Sequence, residues 1–280
     1  MRTSFLLISF ISGMLLGASL YAQEASTEMV WETDKVLSVP ESVLPTERGF
    51  ILVSNIDGKP TEKDGKGFIS MLGEEGEVID RQWCSGLDAP KGMTIAEDML
   101  YVTNIDQIVK INLDDGRIIT RIQIEGARFL NDLCTLHDGR IACTDMQTGQ
   151  VHILQGDRIL NTFSDTLLKR PNGLAAYEGE ILVGCSGYIL RMNPDNGALM
   201  PFMDNTGPVD GLVVAASGIV VVSDWSGKVQ LLREGMEPVV LLDHTDEEIN
   251  AADLGWDERH QRLLVPTFFD NRVRAYLLQY

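Results

Sequence analysis

The chain has 280 residues, of which 44% are hydrophobic and 7% aromatic, enough to bury the core of a globular protein. Its formal net charge of −18 repels phosphate backbones and anionic lipid surfaces, which argues against nucleic acid or a membrane surface as a partner. The four cysteines include no CxxC pair, so a disulfide-rich scaffold and a tetrathiolate zinc site are excluded.

Residues 1–23, "MRTSFLLISFISGMLLGASLYAQ", have the pattern of a secretory signal peptide. Arg2 precedes an apolar run from Phe5 to Leu16, and small residues follow before a cleavage site near Ala22 or Gln23. A membrane anchor is the weaker alternative, because the run is shorter than the roughly 20 residues that span a bilayer. We therefore expect residues 24–280 to be the mature protein, secreted or periplasmic and not inserted in a membrane.

Six segments of the mature chain repeat a polar head, a short strand, a turn and a second strand rich in Val, Ile and Leu. In chain order they are "PESVLPTERGFILVSN", "PKGMTIAEDMLYVTN", "LNDLCTLHDGRIACTD", "PNGLAAYEGEILVGC", "VDGLVVAASGIVVVSD" and "AADLGWDERHQRLLVPTF". Their equivalent apolar residues lie 38 to 50 positions apart, at Val43, Met93, Leu133, Leu174, Leu212 and Leu254. Repeats of about 40 residues with several strands are typical of propeller blades. The sequence therefore predicts an all-β, six-bladed β-propeller as a single domain over residues 24–280.

The last repeat has residues for only three strands, whereas a blade has four. The segment "EMVWETDKVLS", from Glu28 to Ser38, is predicted to supply the missing outer strand and so to close the ring without an exposed edge. The first repeat is longer because of the polar stretch Ile56 to Gly67, which we expect to be a solvated hairpin tip.

The first strand of every propeller blade lines the central channel, so the heads of the six repeats should converge. These head positions are Glu41, Lys91, Asn131, Asn172, Asp210 and Ala252. Two carboxylates and two amide carbonyls form an all-oxygen set, which suits a hard divalent cation such as Ca²⁺. Two alternatives need no metal: the polar groups could only hold water, or Lys91 could neutralise Glu41 and Asp210.

The second strand of each repeat returns to the rim, where its end should surround the mouth of the ring. The residues at these ends are Asn55, Asn104, Asp145, Ser186 and Asp224, and the alternative for each of them is a turn or cap residue. Aromatic residues at the same level are expected to wall a pocket, namely Phe129, Tyr188, Trp225, Phe268 and Phe269.

Cys134 and Cys143 would face each other if Asp138 and Gly139 formed a two-residue hairpin turn. Cross-strand disulfides are geometrically tight, so two free buried thiols are an equal alternative. The sequence leaves the choice between a disulfide and two thiols open.

The segments that contain NDL, PNGL and DGL, in this order and at blade spacing, resemble the SMP-30/gluconolactonase/luciferin-regenerating-enzyme propellers, relatives of paraoxonase and of strictosidine-synthase-like proteins. The resemblance covers essentially the whole mature chain. It implies that Glu41, Asn172 and Asp210 bind a divalent metal, that Asn131 binds metal or substrate, and that Asp210 is a general base. It also implies a substrate contact for Arg128, the arginine nearest before Asn131.

The chain departs from the family pattern at three places. Glu41-Ser42-Val43 replaces Glu-Gly-Pro, and Arg128 lies one residue further from Asn131 than expected. Lys91 stands where paraoxonase-like members have a histidine, and none of the four histidines occupies a head position. A mechanism based on histidine is therefore not expected.

Two functions remain open. One is an exported, divalent-metal-dependent hydrolase of the lactonase or esterase type that acts on a small-molecule substrate. In it Asp210 and Lys91 are catalytic, and the substrate contacts are Asn131, Arg128, Asp145 and Trp225. The other is a non-catalytic propeller that binds a small molecule or a protein, with the polar ring as a scaffold. The sequence specifies neither the lactone or ester nor the oligomeric state.

Overall fold

The computed structural model describes residues 25–215 and 218–280, and the predicted signal peptide lies outside the described residues. The chain forms six four-stranded antiparallel sheets. Each innermost strand contacts the innermost strands of the two neighbouring sheets, including the first sheet with the last. The all-β, six-bladed propeller is thereby confirmed.

Each blade runs from an innermost strand at the channel to an outermost strand at the surface. Blade one contains β2 (Pro40–Pro45), β3 (Phe50–Asn55), β4 (Gly67–Gly73) and β5 (Val78–Leu87), and blade two contains β6 (Pro90–Ala96), β7 (Met99–Asn104), β8 (Gln107–Asn112) and β9 (Ile118–Gln123). Blade three contains β10 (Leu130–Thr135), β11 (Ile141–Asp145), β12 (Gln150–Gln155) and β13 (Arg158–Ser164), and blade four contains β14 (Leu174–Tyr177), β15 (Glu180–Gly184), β16 (Ser186–Met192) and β17 (Leu199–Pro208). Blade five contains β18 (Leu212–Ala215), β19 (Ile219–Asp224), β20 (Lys228–Leu232) and β21 (Val239–Asp243), and blade six contains β22 (Gly255–Asp257), β23 (Arg262–Pro266), β24 (Val273–Gln279) and β1 (Ser26–Glu32).

In the described part of the chain, the connections contain the single-turn 3-10 helices Thr245–Glu247 and Phe268–Asp270. Within residues 25–215 and 218–280, no helix is long and apolar enough to cross a membrane.

The N-terminal strand β1 closes the ring. It pairs antiparallel with β24, from Ser26 opposite Gln279 to Glu32 opposite Arg274, with an irregularity between Met29 and Trp31. The closure role predicted for this part of the chain is confirmed, although the strand ends at Glu32 rather than at Ser38.

The burial of the strands follows their place in the blade. The second strand β3 of blade one, "FILVSN", is buried on both faces because blade six packs against one face and blade two against the other. The outer strand β9, "IITRIQ", is only partly buried and carries charged and polar residues toward solvent. This graded burial explains why the repeat is recognised by its second strand, which is the most uniformly apolar.

Glycines allow the innermost strands of neighbouring blades to approach closely. A Cβ on Gly173 would lie 2.8 Å from the carbonyl oxygen of Asp210, and one on Gly211 would lie 2.3 Å from the backbone nitrogen of Leu254. Any larger residue at these positions would push the head of the next blade away from the axis.

Hydroxyl groups on the second strands tie these heads together. Thr144 Oγ1 accepts a hydrogen bond from the backbone N–H of Asp132 in its own blade (3.0 Å) and donates one to the carbonyl of Asn172 in the next blade (2.9 Å). Thr103 and Ser223 donate equivalent bonds to the head carbonyls of blades three and six. The head positions are thus fixed relative to one another.

The β10–β11 hairpin has a different register from the one predicted. Leu136 N–H bonds to the carbonyl of Arg140, and Gly139 has a φ of 82°, so the turn contains three residues rather than two. Cys134 therefore pairs with Ala142, and the Cys134 and Cys143 side chains lie in different core clusters. Of the two alternatives that the sequence left open, the structure has the second, because both cysteines are free and buried.

Candidate functional site

Five of the six predicted head residues line one cavity of about 500 Å³ at an end of the central channel. They form its polar floor and are Glu41, Lys91, Asn131, Asn172 and Asp210. The sixth, Ala252, is fully buried and packs in an apolar cluster with Ile56 and Phe268. The convergence predicted from the repeat is therefore present in the fold.

Asp210 and Asn172 are joined directly. The Asn172 side-chain amide donates a 2.6 Å hydrogen bond to Asp210 Oδ1, which leaves the amide oxygen of Asn172 free for another partner. Burial raises the pKa of Asp210 to about 7, although the bond from Asn172 opposes this rise. Asp210 can therefore exchange a proton near neutral pH.

Glu41 is buried, and its Oε2 has no hydrogen-bond partner among the described residues. Burial raises the pKa of Glu41 well above its usual range, and the neighbouring Asp210 carboxylate raises it further, while Lys91 opposes both effects. A buried carboxylate oxygen without a donor is costly unless a proton or a cation satisfies it.

Lys91 is 1% exposed and is held by neutral groups. Its ammonium donates to the carbonyls of Pro60 (3.1 Å) and Ala89 (3.0 Å) and lies 4.5 Å from the centre of the Phe129 ring. Burial lowers the pKa of Lys91 to about 8, and the charge of Glu41 opposes the change. Among the described residues Lys91 has no carboxylate at ion-pair distance, so it does not neutralise Glu41 or Asp210 by direct contact.

Two further carboxylates, which the sequence analysis missed, lie one residue deeper in the channel. Asp132 accepts 2.6 Å bonds from the backbone N–H groups of Leu133 and Leu174, and Asp253 accepts a 2.6 Å bond from Ser42 Oγ. Burial raises the pKa of Asp132 to about 7 and that of Asp253 well above its usual range. Both aspartates could have been identified from the sequence, because each directly precedes an apolar residue that was used to align the repeats.

The floor and channel together contain four acidic residues and one lysine. Burial is the main cause of the raised pKa of Glu41, Asp132 and Asp253, and repulsion from nearby carboxylates raises these pKa values further. Among residues 25–215 and 218–280, no three His, Cys, Asp or Glu side chains are placed to hold a metal ion. A cation at the floor would therefore need the amide oxygens of Asn131 and Asn172 in addition to the carboxylates of Glu41 and Asp210.

The structure corrects the predicted substrate contact of Asp145. This side chain is fully buried outside the cavity wall, and its two oxygens accept bonds from the backbone N–H groups of Arg128, Phe129, Gln147 and Thr148. Two donors come from the β9–β10 loop and two from the β11–β12 loop, which explains the burial of its charge, so its role is to fix these two loops. Asn55 and Asn104 are buried in the same way and cap backbone N–H groups.

Arg128 is exposed and does not line the cavity, which corrects its predicted substrate contact as well. Arg170 lies at the cavity instead, with a left-handed φ of 52° and a 3.5 Å contact from Nη2 to Met146 Sδ. Among the described residues Arg170 forms no ion pair. A cation at the mouth of the cavity is thus available to a ligand.

The walls above the floor are largely aromatic. Trp225, Phe268 and Phe269 pack edge to face, with ring centres 5.6 Å (Trp225–Phe268), 6.0 Å (Trp225–Phe269) and 4.8 Å (Phe268–Phe269) apart, and Phe129 lies across the cavity over Lys91. Tyr188 is not part of the wall, and its hydroxyl donates to the carbonyl of Leu167. The predicted placement is therefore found for four of the five aromatic residues.

The loop after β3 is more than the solvated tip that we expected. Its first part, from Ile56 to Pro60, forms one side of the cavity, and the carbonyl of Pro60 accepts a bond from Lys91. The remaining residues up to Lys66 are exposed. This loop therefore contributes to the site as well as to the surface.

Solved structures of other propellers are similar to this chain. A gluconolactonase from Xanthomonas campestris has 19% identity and a TM-score of 0.68, over 91% of this chain and 90% of its own. Virginiamycin B lyase from Staphylococcus aureus, in a catalytically inactive form with quinupristin, has 14% identity and a TM-score of 0.65, over 91% of this chain and 100% of its own. The WD40 propeller domain of Doa1 has 13% identity and a TM-score of 0.63, over 85% of this chain and 78% of its own.

No protein-family model and no curated protein sequence matches the chain. At identities below 20%, the structural likeness establishes the fold, and the fold alone does not decide the chemistry. The resemblance to gluconolactonase propellers is confirmed at the level of the fold.

Proposed function

We propose that this chain is an exported, divalent-metal-dependent hydrolase that opens a small-molecule lactone or ester. The observation that carries the proposal is the convergence of Glu41, Asn131, Asn172 and Asp210 on the floor of a cavity large enough for such a substrate. Supporting it at the level of the fold, the gluconolactonase and the virginiamycin B lyase are enzymes by their names.

The residues present fit a calcium ion. The carboxylates of Glu41 and Asp210 and the amide oxygens of Asn131 and Asn172 would hold it, and further positions remain because calcium accepts about six to eight oxygen ligands. A carboxylate that binds a cation is expected to have a raised pKa and an unpartnered oxygen when the cation is absent. Glu41 has both features, and Asp210 has the raised pKa. When bound, the ion would polarise the substrate carbonyl as a Lewis acid.

Asp210 is the general base in this proposal. Its pKa of about 7 in the ion-free site means that it can accept a proton from the attacking water near neutral pH. The hydrogen bond from Asn172 fixes the orientation of the carboxylate, with Oδ2 as the second oxygen. A bound cation would lower this pKa and so extend the active range toward acidic pH.

Lys91 stabilises negative charge on the substrate oxygen. Its ammonium has three N–H groups, of which two are taken by the carbonyls of Pro60 and Ala89. The third remains for a ligand in the cavity that Lys91 lines. Because the pKa is about 8, most of the lysine is charged at pH 7 and can act as a hydrogen-bond donor.

The test is a panel of sugar lactones, alkyl and aryl lactones, and aryl esters, assayed with Ca²⁺ and with a chelator. We expect hydrolysis that the chelator abolishes and Ca²⁺ restores, and a loss of kcat/KM of about 100-fold or more in Asp210→Asn. The matched control is Asp157→Asn, because Asp157 is exposed and pairs with Lys110 away from the cavity.

Calorimetric titration of the chelator-treated protein with Ca²⁺ tests the site itself. Glu41→Gln and Asn172→Ala should each weaken the binding, whereas Asp157→Asn should not. If no compound of the panel is hydrolysed, or if the chelator does not reduce the hydrolysis, the non-catalytic binding propeller is favoured instead.

A further inference from the structure

The wall of the cavity is chemically unlike its floor. Above the head residues, the lining is formed mainly by apolar side chains, namely Ile56, Pro60, Phe129, Met146, Val209, Trp225, Phe268 and Phe269. Polar side chains on the wall are confined to Lys59, Arg170 and Ser186. A substrate whose reacting group reaches the floor must therefore place the rest of its body against apolar surface.

The floor offers few free hydrogen-bonding groups beyond those that the proposed cation would take. Lys91 has one N–H left, and Asn172 uses its amide N–H on Asp210. A polyhydroxylated sugar lactone would bring several hydroxyls that lose water on binding, and most would find no partner on this wall. The cavity therefore disfavours such a substrate.

The aromatic cluster Trp225, Phe268 and Phe269 has two features that are unfavourable for stability without a ligand. Trp225 is 43% exposed and Phe269 is 63% exposed, so two large apolar faces meet water in the absence of a ligand. Phe268 also has a φ of 48°, a left-handed conformation that a bulky residue rarely adopts. Exposed apolar area and backbone strain at the same place are typical of a binding surface.

Resting on the proposed function, we propose that the substrate is a lactone or ester with an aryl or alkyl substituent, which the aromatic cluster contacts, rather than a sugar lactone. The edge-to-face packing of the three rings leaves flat faces available for such a substituent. Phe269 is the specificity-determining residue that is easiest to test, because its exposure means that truncation costs little stability.

The experiment compares three lactones of increasing apolar substitution: glucono-lactone, unsubstituted γ-butyrolactone, and γ-butyrolactone with a phenyl substituent. The phenyl compound should have the highest kcat/KM. Phe269→Ala should lower kcat/KM for the phenyl compound about tenfold and leave that of the unsubstituted lactone within about twofold. Phe269→Leu should retain part of the preference, and the control Leu160→Ala, at an exposed residue of β13, should change neither value.

The two proposals fail separately. A chelator-sensitive preference for glucono-lactone would overturn the substrate class and leave the hydrolase proposal intact. If no compound is hydrolysed, the hydrolase proposal fails, and binding of the phenyl lactone is then measured by calorimetry. Binding that is equally tight in the parent and in Phe269→Ala, or no binding at all, overturns the substrate class as well, whereas selective weakening in the variant supports it.

Discussion

Replacing Asp210 with Asn should stabilise the ion-free protein near pH 8 and leave its stability near pH 4 almost unchanged. The two side chains have nearly the same shape, and an asparagine Oδ1 can still accept the bond from Asn172. The substitution therefore removes the ionisation of this group with little change in packing. The result measures how much an uncompensated charge at the cavity floor costs the fold.

The magnitude follows from the pKa of Asp210, which burial raises from 3.8 to about 7. Between these values the folded protein keeps a proton that the unfolded chain has lost, so the free energy of unfolding falls as pH rises. The stability that this proton contributes is complete below pH 3.8 and is lost as pH passes 7. The loss is at most about 1.4 kcal/mol per pH unit, or about 4 kcal/mol in all. Because Asp210 is only partly buried and borders the cavity, we expect about 2 kcal/mol.

The assay is urea unfolding with a chelator, at pH values from about 4 to about 8. The free energy of unfolding of the parent should fall across this range more steeply than that of Asp210→Asn, and Asp157→Asn should follow the parent. Saturating Ca²⁺ should then stabilise the parent near pH 8, by about 2.7 kcal/mol at 100 times the dissociation constant, and stabilise the variant less. Equal slopes for the parent and Asp210→Asn would refute the reasoning.

Three further predictions follow from the fold and from the mouth of the cavity. Ser223→Ala should destabilise the protein by about 2 kcal/mol or more in urea unfolding, because the N–H of Gly211 and the carbonyl of Ala252 both lose a buried partner. The control is Ser226→Ala at an exposed serine, and equal stability of the two variants would contradict the bridging role of Ser223. A chain that begins at Pro40 should unfold at a clearly lower temperature than the mature chain, because β24 loses the strand that covers its edge, and an unchanged midpoint would argue against closure by β1. Arg170→Gln should raise the inhibition constant of a carboxylate product about tenfold, whereas Arg128→Gln should leave it unchanged, because of these two arginines only Arg170 lines the cavity. Equal inhibition constants for both variants would contradict an anion-binding role of Arg170.

The repeat determines most of the fold and the floor of the site. Strand period and spacing identify the blades, and the inner position of each first strand then places Glu41, Lys91, Asn131, Asn172 and Asp210 together without any knowledge of their contacts. The repeat length and the direction of the strands are sufficient for this placement, even though the chain has few long motifs.

Side-chain roles at the rim depend on local geometry that the repeat does not contain. Asp145 aligns with the other strand ends, yet its carboxylate is buried because four backbone N–H groups from two neighbouring loops donate to it. Arg128 is the arginine that the sequence resemblance indicates, and only the paths of the loops decide that Arg170 lines the cavity instead. The register of the β10–β11 hairpin likewise depends on one left-handed residue, Gly139.

Closure of the ring by β1 also has a consequence for the order of folding. Blades one to five each consist of consecutive strands and can form from local contacts, whereas blade six needs Ser26 to meet Gln279. Contacts so distant in the chain form late, because the entropy of closing a long loop must be overcome first. Glu41 lies at this seam, where its carbonyl accepts a 2.9 Å bond from the N–H of Asp253. A nascent chain that ends before blade six would thus contain every floor residue and still lack the partner that positions Glu41.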